Sequence, residues 1–483
     1  MAGIGFELKK MFSKRGLLAN VKAYGYAGIV CVGPMLLGVI LLIGIRLIAV
    51  WGGAAEHTAE LLNSMITYTL LFSMILTNMT SLVSTRFIAD QLYMEKKRRI
   101  LPSFWGCITL MMIPGALIYG VFLHFAGIPA GYQLLCFILF GELVIVWTEI
   151  NYLTAIKDYS GIIITFAVSL FAAWGIGAGL IWLGMEVIYA MLLSISVCYG
   201  IMLLWYYKLM AAYFPKGKGS SFYFLEWFDR NPQLSVLGTC LAFGLFGHLI
   251  IMWSSPVGKQ IQGLFYGAPV YDVSALLAFL SILITTINFV TSVEVNFYPK
   301  YRNYFSLFND GGSLMDLEQA EREMTSTLKQ EMSYTYTKQF FATIVFLILG
   351  TYFLPDLPLG ITDDMLGIYR VLCVAYAFYA IGNCNMLLQL YFADNNGALL
   401  GAALFCIISC AGTWVLRTGN IIYYGIGFLA GSVVFAIVSL LLLYLYVRKV
   451  MYHVLCNQPI VERKYHGRFS RLSKWFEMQY RKK

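Results

Sequence analysis

The chain has 483 residues, of which 59% are hydrophobic and only 12% are charged, and its mean hydropathy is +0.72. Ordinary globular domains contain roughly 25% charged residues, so this composition excludes that class and indicates an integral membrane protein. The formal net charge of +9 is concentrated after Val447, where ten basic residues accompany only Glu462 and Glu477. Such a cluster beside a final span is typical of contact with lipid and does not indicate a nucleic-acid-binding protein.

Long apolar stretches recur along the whole chain. A transmembrane helix needs roughly 20 apolar residues to cross about 30 Å of hydrocarbon, and most of the stretches reach that length. They predict an all-α polytopic membrane protein with about twelve transmembrane helices. The predicted spans are 26–50, 62–88, 101–125, 132–153, 161–183, 187–207, 234–253, 273–297, 339–355, 367–392, 399–416 and 423–447.

The basic residues provide an independent test of this count, because lysine and arginine are retained on the cytoplasmic side of a membrane. With both termini in the cytoplasm, twelve spans place all but four of the 34 basic residues inside. The exceptions are Arg46, Lys259, Arg370 and Arg417. One missed or additional span would distribute the basic residues over both sides of the membrane. The pattern therefore predicts twelve spans with both termini cytoplasmic.

The loops divide the chain into two six-helix lobes, at 1–209 and 234–447, with a cytoplasmic linker at 210–233. A cytoplasmic insert at 298–338 interrupts the second lobe, and a basic cytoplasmic tail follows at 448–483. Duplicated halves are the usual architecture of secondary transporters. None of the soluble segments is long enough to build a catalytic domain with its own core, and no phosphate-binding loop occurs. We therefore predict no enzyme activity and no catalytic, cofactor-binding or metal-binding residues.

Two cytoplasmic segments have the pattern of amphipathic helices. In the insert, Ser313 can cap a helix that lies on the membrane, covers the cytoplasmic mouth or docks a partner. The apolar stripe of that helix consists of Leu314, Leu317, Met324, Leu328 and Met332. In the tail, Phe469, Leu472 and Phe476 recur at helical spacing beside Trp475. They predict a helix in the membrane interface, with the basic residues in contact with anionic lipid.

Two carboxylates occur within the fourth predicted span, Glu142 and Glu149. A charge near the middle of a bilayer costs several kcal/mol unless it faces protein or water, which makes each of these residues a candidate for function. Seven residues are nearly two helical turns, so both carboxylates share one helix face and lie about 10 Å apart along the axis. They are candidate cation, sugar-amine or proton-coupling sites on a translocation path. The structural alternative is that Glu149 reaches the inner interface and Glu142 hydrogen-bonds a neighbouring helix.

Small polar residues form one stripe on the second span and another on the eighth, since steps of three and four residues return to the same helix face. Such stripes serve either tight helix packing or a wet cavity. The two stripes also align without gaps between the halves of the chain, which favours the cavity. The candidate path residues are Ser73, Thr77 and Ser84 in the second span and Thr285, Asn288 and Ser292 in the eighth.

The same alignment pairs Arg86 with Glu294 at the predicted cytoplasmic ends of the second and eighth spans. We predict that the two residues form a gate, bonding across the cytoplasmic mouth when a two-lobe transporter opens outward. In the alternative interpretation Arg86 reaches lipid phosphate, while Glu294 bonds the nearby Lys300 or Arg302.

The opening MAGIGFELKK at 1–10, the run AYGYAG at 23–28 and Gly33-Pro34 resemble the PelG family, the membrane transporters of the Pel exopolysaccharide system. Length, span count and loop sizes agree with that family over essentially the whole chain. The resemblance implies a twelve-helix transporter related to the multidrug/oligosaccharidyl-lipid/polysaccharide flippases. Its two lobes would form a V, with the first, second, seventh and eighth spans facing a central cleft.

The resemblance also implies a substrate and partners. The growing Pel polymer, an amino-sugar glycan with partly free amines, would move from the cytoplasm to the exterior across the bacterial inner membrane during biofilm matrix production. A cytoplasmic glycosyltransferase would supply the polymer, and other membrane components of the Pel complex would join the transporter.

Other functions remain open on the sequence. A cation-coupled antiporter for small cationic drugs, or a flippase for lipid-linked oligosaccharides, would share the fold and the acidic fourth span. A membrane glycan polymerase or ligase usually needs a sizeable outer loop, and the outer loops here are short. A major-facilitator carrier would also have twelve spans, but Gln91–Arg99 does not match its characteristic loop.

Overall fold

The computed structural model describes residues 17–156, 158–217, 219–309, 311–356, 360–457 and 467–481, with side chains from residue 36 onward. Helices account for most of this chain. Before the only hairpin seen in these residues they are α1 (Leu17–Trp51), α2 (Glu56–Tyr93), α3 (Ile100–Phe125), α4 (Ala130–Ile156), α5 (Tyr159–Trp182), α6 (Val187–Tyr213), the short α7 (Glu226–Arg230) and α8 (Pro232–Met252). After it they are α9 (Pro269–Phe279), α10 (Leu283–Ser292), α11 (Tyr298–Asn309), α12 (Leu314–Phe353), α13 (Asp363–Tyr391), α14 (Asn395–Leu416), α15 (Ile426–Val447), α16 (Val450–Asn457) and α17 (Arg468–Arg481).

All twelve predicted spans fall on helices, apart from a few residues at their ends. Among the described residues, 11 helical segments are long and apolar enough to cross a membrane, and the described apolar part of α1 is the shorter Leu36–Trp51. The eighth predicted span is a continuous helical segment, Pro269–Asn309, which passes through a 3₁₀ turn at Leu280–Ile282 and a π turn at Val293–Phe297. The predicted class, an all-α polytopic membrane protein, is confirmed.

The described chain folds into two compact units. The first unit contains Gly33–Phe246, Gly258–Ala268 and the C-terminal helix α17, and the second contains the rest, including Gly247–Val257 and the helices from α9 to α16. Helix α8 therefore contributes to both units. The first unit is built mainly from α2 to α6, and in the second α15 packs along both α13 and α14.

A β-hairpin in the loop after α8 packs within the first unit. Its strands β1 (Lys259–Gln262) and β2 (Phe265–Gly267) pair antiparallel, with an irregularity between Gln260 and Gln262. The Tyr68 hydroxyl donates to the carbonyl of Tyr266 at 3.1 Å and accepts from its amide at 3.0 Å. Gly263 has a φ of +54°, and a Cβ there would collide with the carbonyl of Ala126, so this turn requires glycine.

The cytoplasmic insert is not a separate helix, because α12 continues from Ser313 without a break into the ninth predicted span. The predicted cap is confirmed, since the Ser313 hydroxyl accepts from the amide of Asp316 at 3.2 Å. The predicted apolar stripe divides into two parts. Met324, Leu328 and Met332 are buried in the core of the second unit, whereas Leu314 near the start of the helix is 61% exposed.

The linker and the tail meet in the first unit. Residues around α7 form a buried aromatic layer, and α17 packs against it with Phe476 stacked on Phe222 at 4.2 Å and Phe469 against Phe228 at 5.3 Å between ring centroids. The structure therefore places the rings of both phenylalanines in contact with the linker, although Phe469 remains 41% exposed and the helical spacing groups both with the outward-facing Leu472.

Candidate translocation site

The polar stripe of the second span lies on a buried face of α2. Ser73, Thr77 and Ser84 are all nearly inaccessible. Thr77 donates to the carbonyl of Ser73 at 2.9 Å, and Ser84 donates to the carbonyl of Ser81 at 2.9 Å. Ser73 also accepts from the indole of Trp147 on α4 at 3.1 Å. Hydroxyls bonded to carbonyls of their own helix retain an acceptor oxygen, so the stripe is compatible with both packing and polar contacts to a substrate.

The two carboxylates of α4 lie against α6 within the first unit. A Cβ added at Gly200 would lie 3.5 Å from Oε1 of Glu142, and the Ser196 side chain is also a neighbour of Glu142. Glu149 is completely buried near Tyr206. Among the described residues, Oε2 of Glu142 and both carboxylate oxygens of Glu149 have no hydrogen-bond partner.

Charge compensation is also missing around these carboxylates, since no ion pair to Glu142 or Glu149 is found in the described part of the chain. A buried carboxylate without a partner is unfavourable as an anion, because no neighbouring group compensates the free-energy cost of its desolvation. This pair can be accommodated by taking up protons or by attracting a cation, such as an ammonium group of a substrate.

The stripe of the eighth span has a different environment in the second unit. The Thr285 hydroxyl donates to the side-chain carbonyl of Gln339 on α12. Asn288 donates to the Thr335 hydroxyl at 2.9 Å and accepts from the Lys338 ammonium at 2.6 Å. These polar groups satisfy one another across α10 and α12. Ser292, the third predicted path residue of this stripe, is also buried.

The predicted gate residues belong to different units. Arg86 forms an ion pair with Asp90 one turn along α2, at 3.2 Å between Nε and Oδ1, and its side chain remains 47% exposed. The indole of Trp227 donates to the other oxygen of Asp90 at 2.7 Å. Glu294 lies in the π turn that follows α10, a local geometry that is common at functional sites. The gate stays a prediction.

Sequence reasoning missed the α12 partners of the eighth span. Thr335, Gln339 and Thr343 follow one another at intervals of four residues and form one polar stripe, and Gln339 donates to Thr343 at 3.0 Å. This spacing was a readable signal. Lys338 lies within this stripe, and as a charged residue it indicates a cytoplasmic segment. In the structure its side chain bonds Asn288 of the membrane-spanning segment.

Residues 1–455 match the protein family described as "PelG: Putative exopolysaccharide Exporter (EPS-E)". The chain belongs to this family. The match confirms the family predicted from the N-terminal residues and extends over nearly the whole sequence. The protein is therefore a multi-pass membrane transporter of an exopolysaccharide-exporter family rather than an enzyme. No curated protein matches the chain.

Solved structures with a similar fold are described as MATE or MOP superfamily transporters. An outward-facing multidrug resistance MATE family transporter of the MOP superfamily aligns with a TM-score of 0.57 at 14% identity, covering 88% of this chain and 96% of its own. The eukaryotic MATE transporter AtDTX14 aligns with a TM-score of 0.58 at 12% identity, covering 95% and 99%. A MOP superfamily transporter from Pyrococcus furiosus aligns with a TM-score of 0.55 at 13% identity, covering 88% and 96%. At these identities the likeness establishes the fold alone.

Proposed function

We propose that the protein exports an amino-sugar exopolysaccharide of the Pel type from the cytoplasm to the exterior of a bacterial inner membrane, as part of biofilm matrix production. Twelve spans in two lobes, at 1–209 and 234–447, cross the membrane with both termini in the cytoplasm. The exopolysaccharide-exporter family supports the class of substrate. The concentration of basic residues in alternate loops supports the orientation.

The observation that carries the proposal is the pair of poorly satisfied carboxylates on α4. Among the described residues, the completely buried Glu149 has no hydrogen-bond partner, and Oε2 of the partly buried Glu142 has none either. A polymer with partly free amines carries positive charges, which an acidic path attracts and a basic path would repel. In the proposed mechanism the carboxylates hold protons or a cation in the resting transporter and receive amines during passage. Thr77 and the other stripe residues offer hydroxyl oxygens to the sugar along the same route.

The proposal also defines the partners. The transporter family does no chemistry on the polymer, so a separate cytoplasmic glycosyltransferase must supply the chain, and other membrane components of the Pel complex assemble with the transporter. The basic tail contacts anionic lipid. Purified transporter given nucleotide sugars should therefore form no polymer, and polymer formation by the chain alone would contradict this assignment.

A second candidate is a cation-coupled antiporter or a lipid-linked oligosaccharide flippase of the same fold. The specific observation in favour of the antiporter is the same carboxylate pair, since an acidic site accepts a small organic cation as readily as a polymer amine. The two functions differ in the molecule that is transported, which is a small cation in one case and a polymer in the other. Resistance to cationic drugs that depends on Glu149, with unchanged polymer secretion, would favour the antiporter.

The test replaces each carboxylate by its neutral isostere. Glu142→Gln and Glu149→Gln should each lower secreted polymer about tenfold, the effect of losing ~1.4 kcal/mol of interaction in a rate-limiting state. Secreted polymer is measured per cell, and the transporter level is measured in isolated membranes. Glu56→Gln is the matched control, because this exposed glutamate at the start of α2 should be dispensable. Normal secretion by both α4 variants would refute the acidic path.

A further inference from the structure

The C-terminal helix α17 packs on the linker through two serines and two phenylalanines, and it leaves its other large apolar side chains outside. Ser470 and Ser473, which face the protein, are only 1% and 3% exposed. On the opposite side Leu472, Trp475 and Met478 are 44%, 50% and 57% exposed. A helix that packed on a protein beside water would also bury these three large apolar side chains and would expose its serines. The arrangement fits a helix whose outer side contacts an apolar phase.

The inner side of α17 is held in place by one carboxylate from the linker. The amide of Ser470 donates to Asp229 at 2.6 Å, so a residue 241 positions earlier in the chain satisfies the open first turn of the helix. Gly467, just before the helix, cannot cap it with a side chain. A Cβ at this position would collide with the Asp229 carboxylate, so the glycine permits the close approach. Asp229 and the aromatic layer of the linker therefore form a binding surface for α17, which we call the seat.

The linker also contacts α3 near the start of the third predicted span. Gly106, in the second turn of α3, approaches the linker so closely that a Cβ would collide with the carbonyl of Ser221, and Phe224 packs beside it. Because a helix rises 1.5 Å per residue, this contact is about 9 Å from the start of α3, within the apolar span. The linker thus lies against the first turns of a predicted span, and a bilayer around that span would have its headgroups close to α17.

The charges of α17 identify the kind of lipid. Arg468, Arg471 and Lys474 are exposed beside the apolar residues, and Arg481 ends the helix. Glu477, the only acidic residue of the helix, is partly buried on the protein side. Interfacial helices with lysine and arginine among Trp and Leu bind anionic membrane surfaces, through apolar insertion together with headgroup contacts.

We propose that α17, seated on the linker by Asp229, is a binding site for anionic phospholipid headgroups of the bilayer. The side of the membrane rests on the orientation proposed above, because the tail must face the inner leaflet. Arg468, Arg471 and Lys474 bind the headgroups while Leu472, Trp475 and Met478 insert between them.

The experiment uses the full chain in nanodiscs of phosphatidylcholine alone or mixed with phosphatidylglycerol. Hydrogen–deuterium exchange of the 468–481 segment should be slower in the anionic discs. Arg468→Gln, Arg471→Gln and Lys474→Gln should each reduce this difference up to about fivefold, and the triple variant should abolish it. Arg322→Gln with Lys329→Gln on α12 is the matched control, and it should leave the exchange of this segment unchanged.

The seat is tested separately. Asp229→Ala should speed exchange of the segment in both kinds of disc, whereas Asp229→Asn, which keeps a capping oxygen, should restore protection. Equal exchange in neutral and anionic discs would overturn the proposal. Protection in neutral discs on adding inorganic phosphate would overturn it as well, because it would assign the cations to a soluble anion. Polymer secretion does not enter these measurements, so failure here is distinguishable from failure of the export proposal.

Discussion

Two buried polar sites, one in each unit, differ in how their side chains are satisfied. At the site in the second unit, Asn288 and Thr285 both bond directly to side chains of α12. In the first unit, Glu149 is buried just as completely, but its carboxylate oxygens have no partner among the described residues. Both sites have the same signal in the sequence, a polar residue within an apolar span.

The difference separates structural from functional polarity. A fully bonded network stabilises a single packing of two helices, since each lost partner leaves a buried polar group unsatisfied. A carboxylate left without a partner contributes no such stability, and its presence at a buried position is better explained by an exchangeable ligand or proton. Substitutions in the network between α10 and α12 should therefore change stability, and substitutions of the α4 carboxylates should change transport.

The largest effect is expected at Asn288. Asn288→Leu removes the bonds to Thr335 and Lys338 together, and it should lower the free energy of unfolding by about 3 kcal/mol. Thermal unfolding of the purified protein in detergent measures this loss. The control is Thr286→Val on the same helix, because Thr286 bonds only the backbone carbonyl of Ile282 in the described contacts. Equal melting temperatures for the two variants would contradict a stabilising network.

The opposite outcome is expected at Glu149. Glu149→Leu removes an unsatisfied carboxyl group and should leave the protein as stable as before, or more stable by about 1 kcal/mol. Polymer secretion should nevertheless be lost. The same melting assay and secretion assay apply to both units, so the comparison is direct. A large drop in melting temperature would show that Glu149 has a structural bond, and the contrast between the units would disappear.

A smaller effect is expected from the predicted gate. Arg86 is half exposed and already paired with Asp90, so any coupling to Glu294 should be about 1 kcal/mol rather than several. The variants are built on Asp90→Asn, because Arg86→Glu would otherwise place two carboxylates together. Arg86→Glu and Glu294→Arg should each reduce secretion severalfold, and the double variant should recover it. Without recovery, at normal protein levels, the two residues do not form a gate.

Local patterns in the sequence predicted the features that depend on neighbouring residues. Span positions, the Ser313 cap and the burial of Met324, Leu328 and Met332 all follow from periodicity and capping within one helix. The shared face of Glu142 and Glu149 follows from helix geometry in the same way. For these features the sequence was sufficient, because each depends on spacings of a few residues.

Contacts between distant segments were not predictable in this way. The hairpin at 259–267 is held by Tyr68, 198 residues from its partner Tyr266, and α17 is capped by Asp229, 241 residues before Ser470. No pattern within the hairpin or the tail names those partners. The same limit applies to Phe469 and Phe476, which helical spacing places on one face with Leu472. Spacing alone does not identify the aromatic layer of the linker that contacts the two phenylalanines.

The smallest effect is expected at Thr77, and it tests whether a well-packed stripe also has a role in transport. Thr77 donates to backbone carbonyls that already accept helix bonds, so Thr77→Val should change the free energy of unfolding by no more than about 0.5 kcal/mol. The valine keeps the shape of the side chain but removes the hydroxyl oxygen proposed to contact the sugar. Secretion should therefore fall about twofold to threefold, which corresponds to a change in activation free energy of less than about 1 kcal/mol. Thr109→Val is the control, because Thr109 makes the same kind of bond to its own helix on an exposed side of α3. If secretion is equal in the two variants, the α2 stripe serves helix packing alone, and the path in the first unit is restricted to the carboxylates of α4.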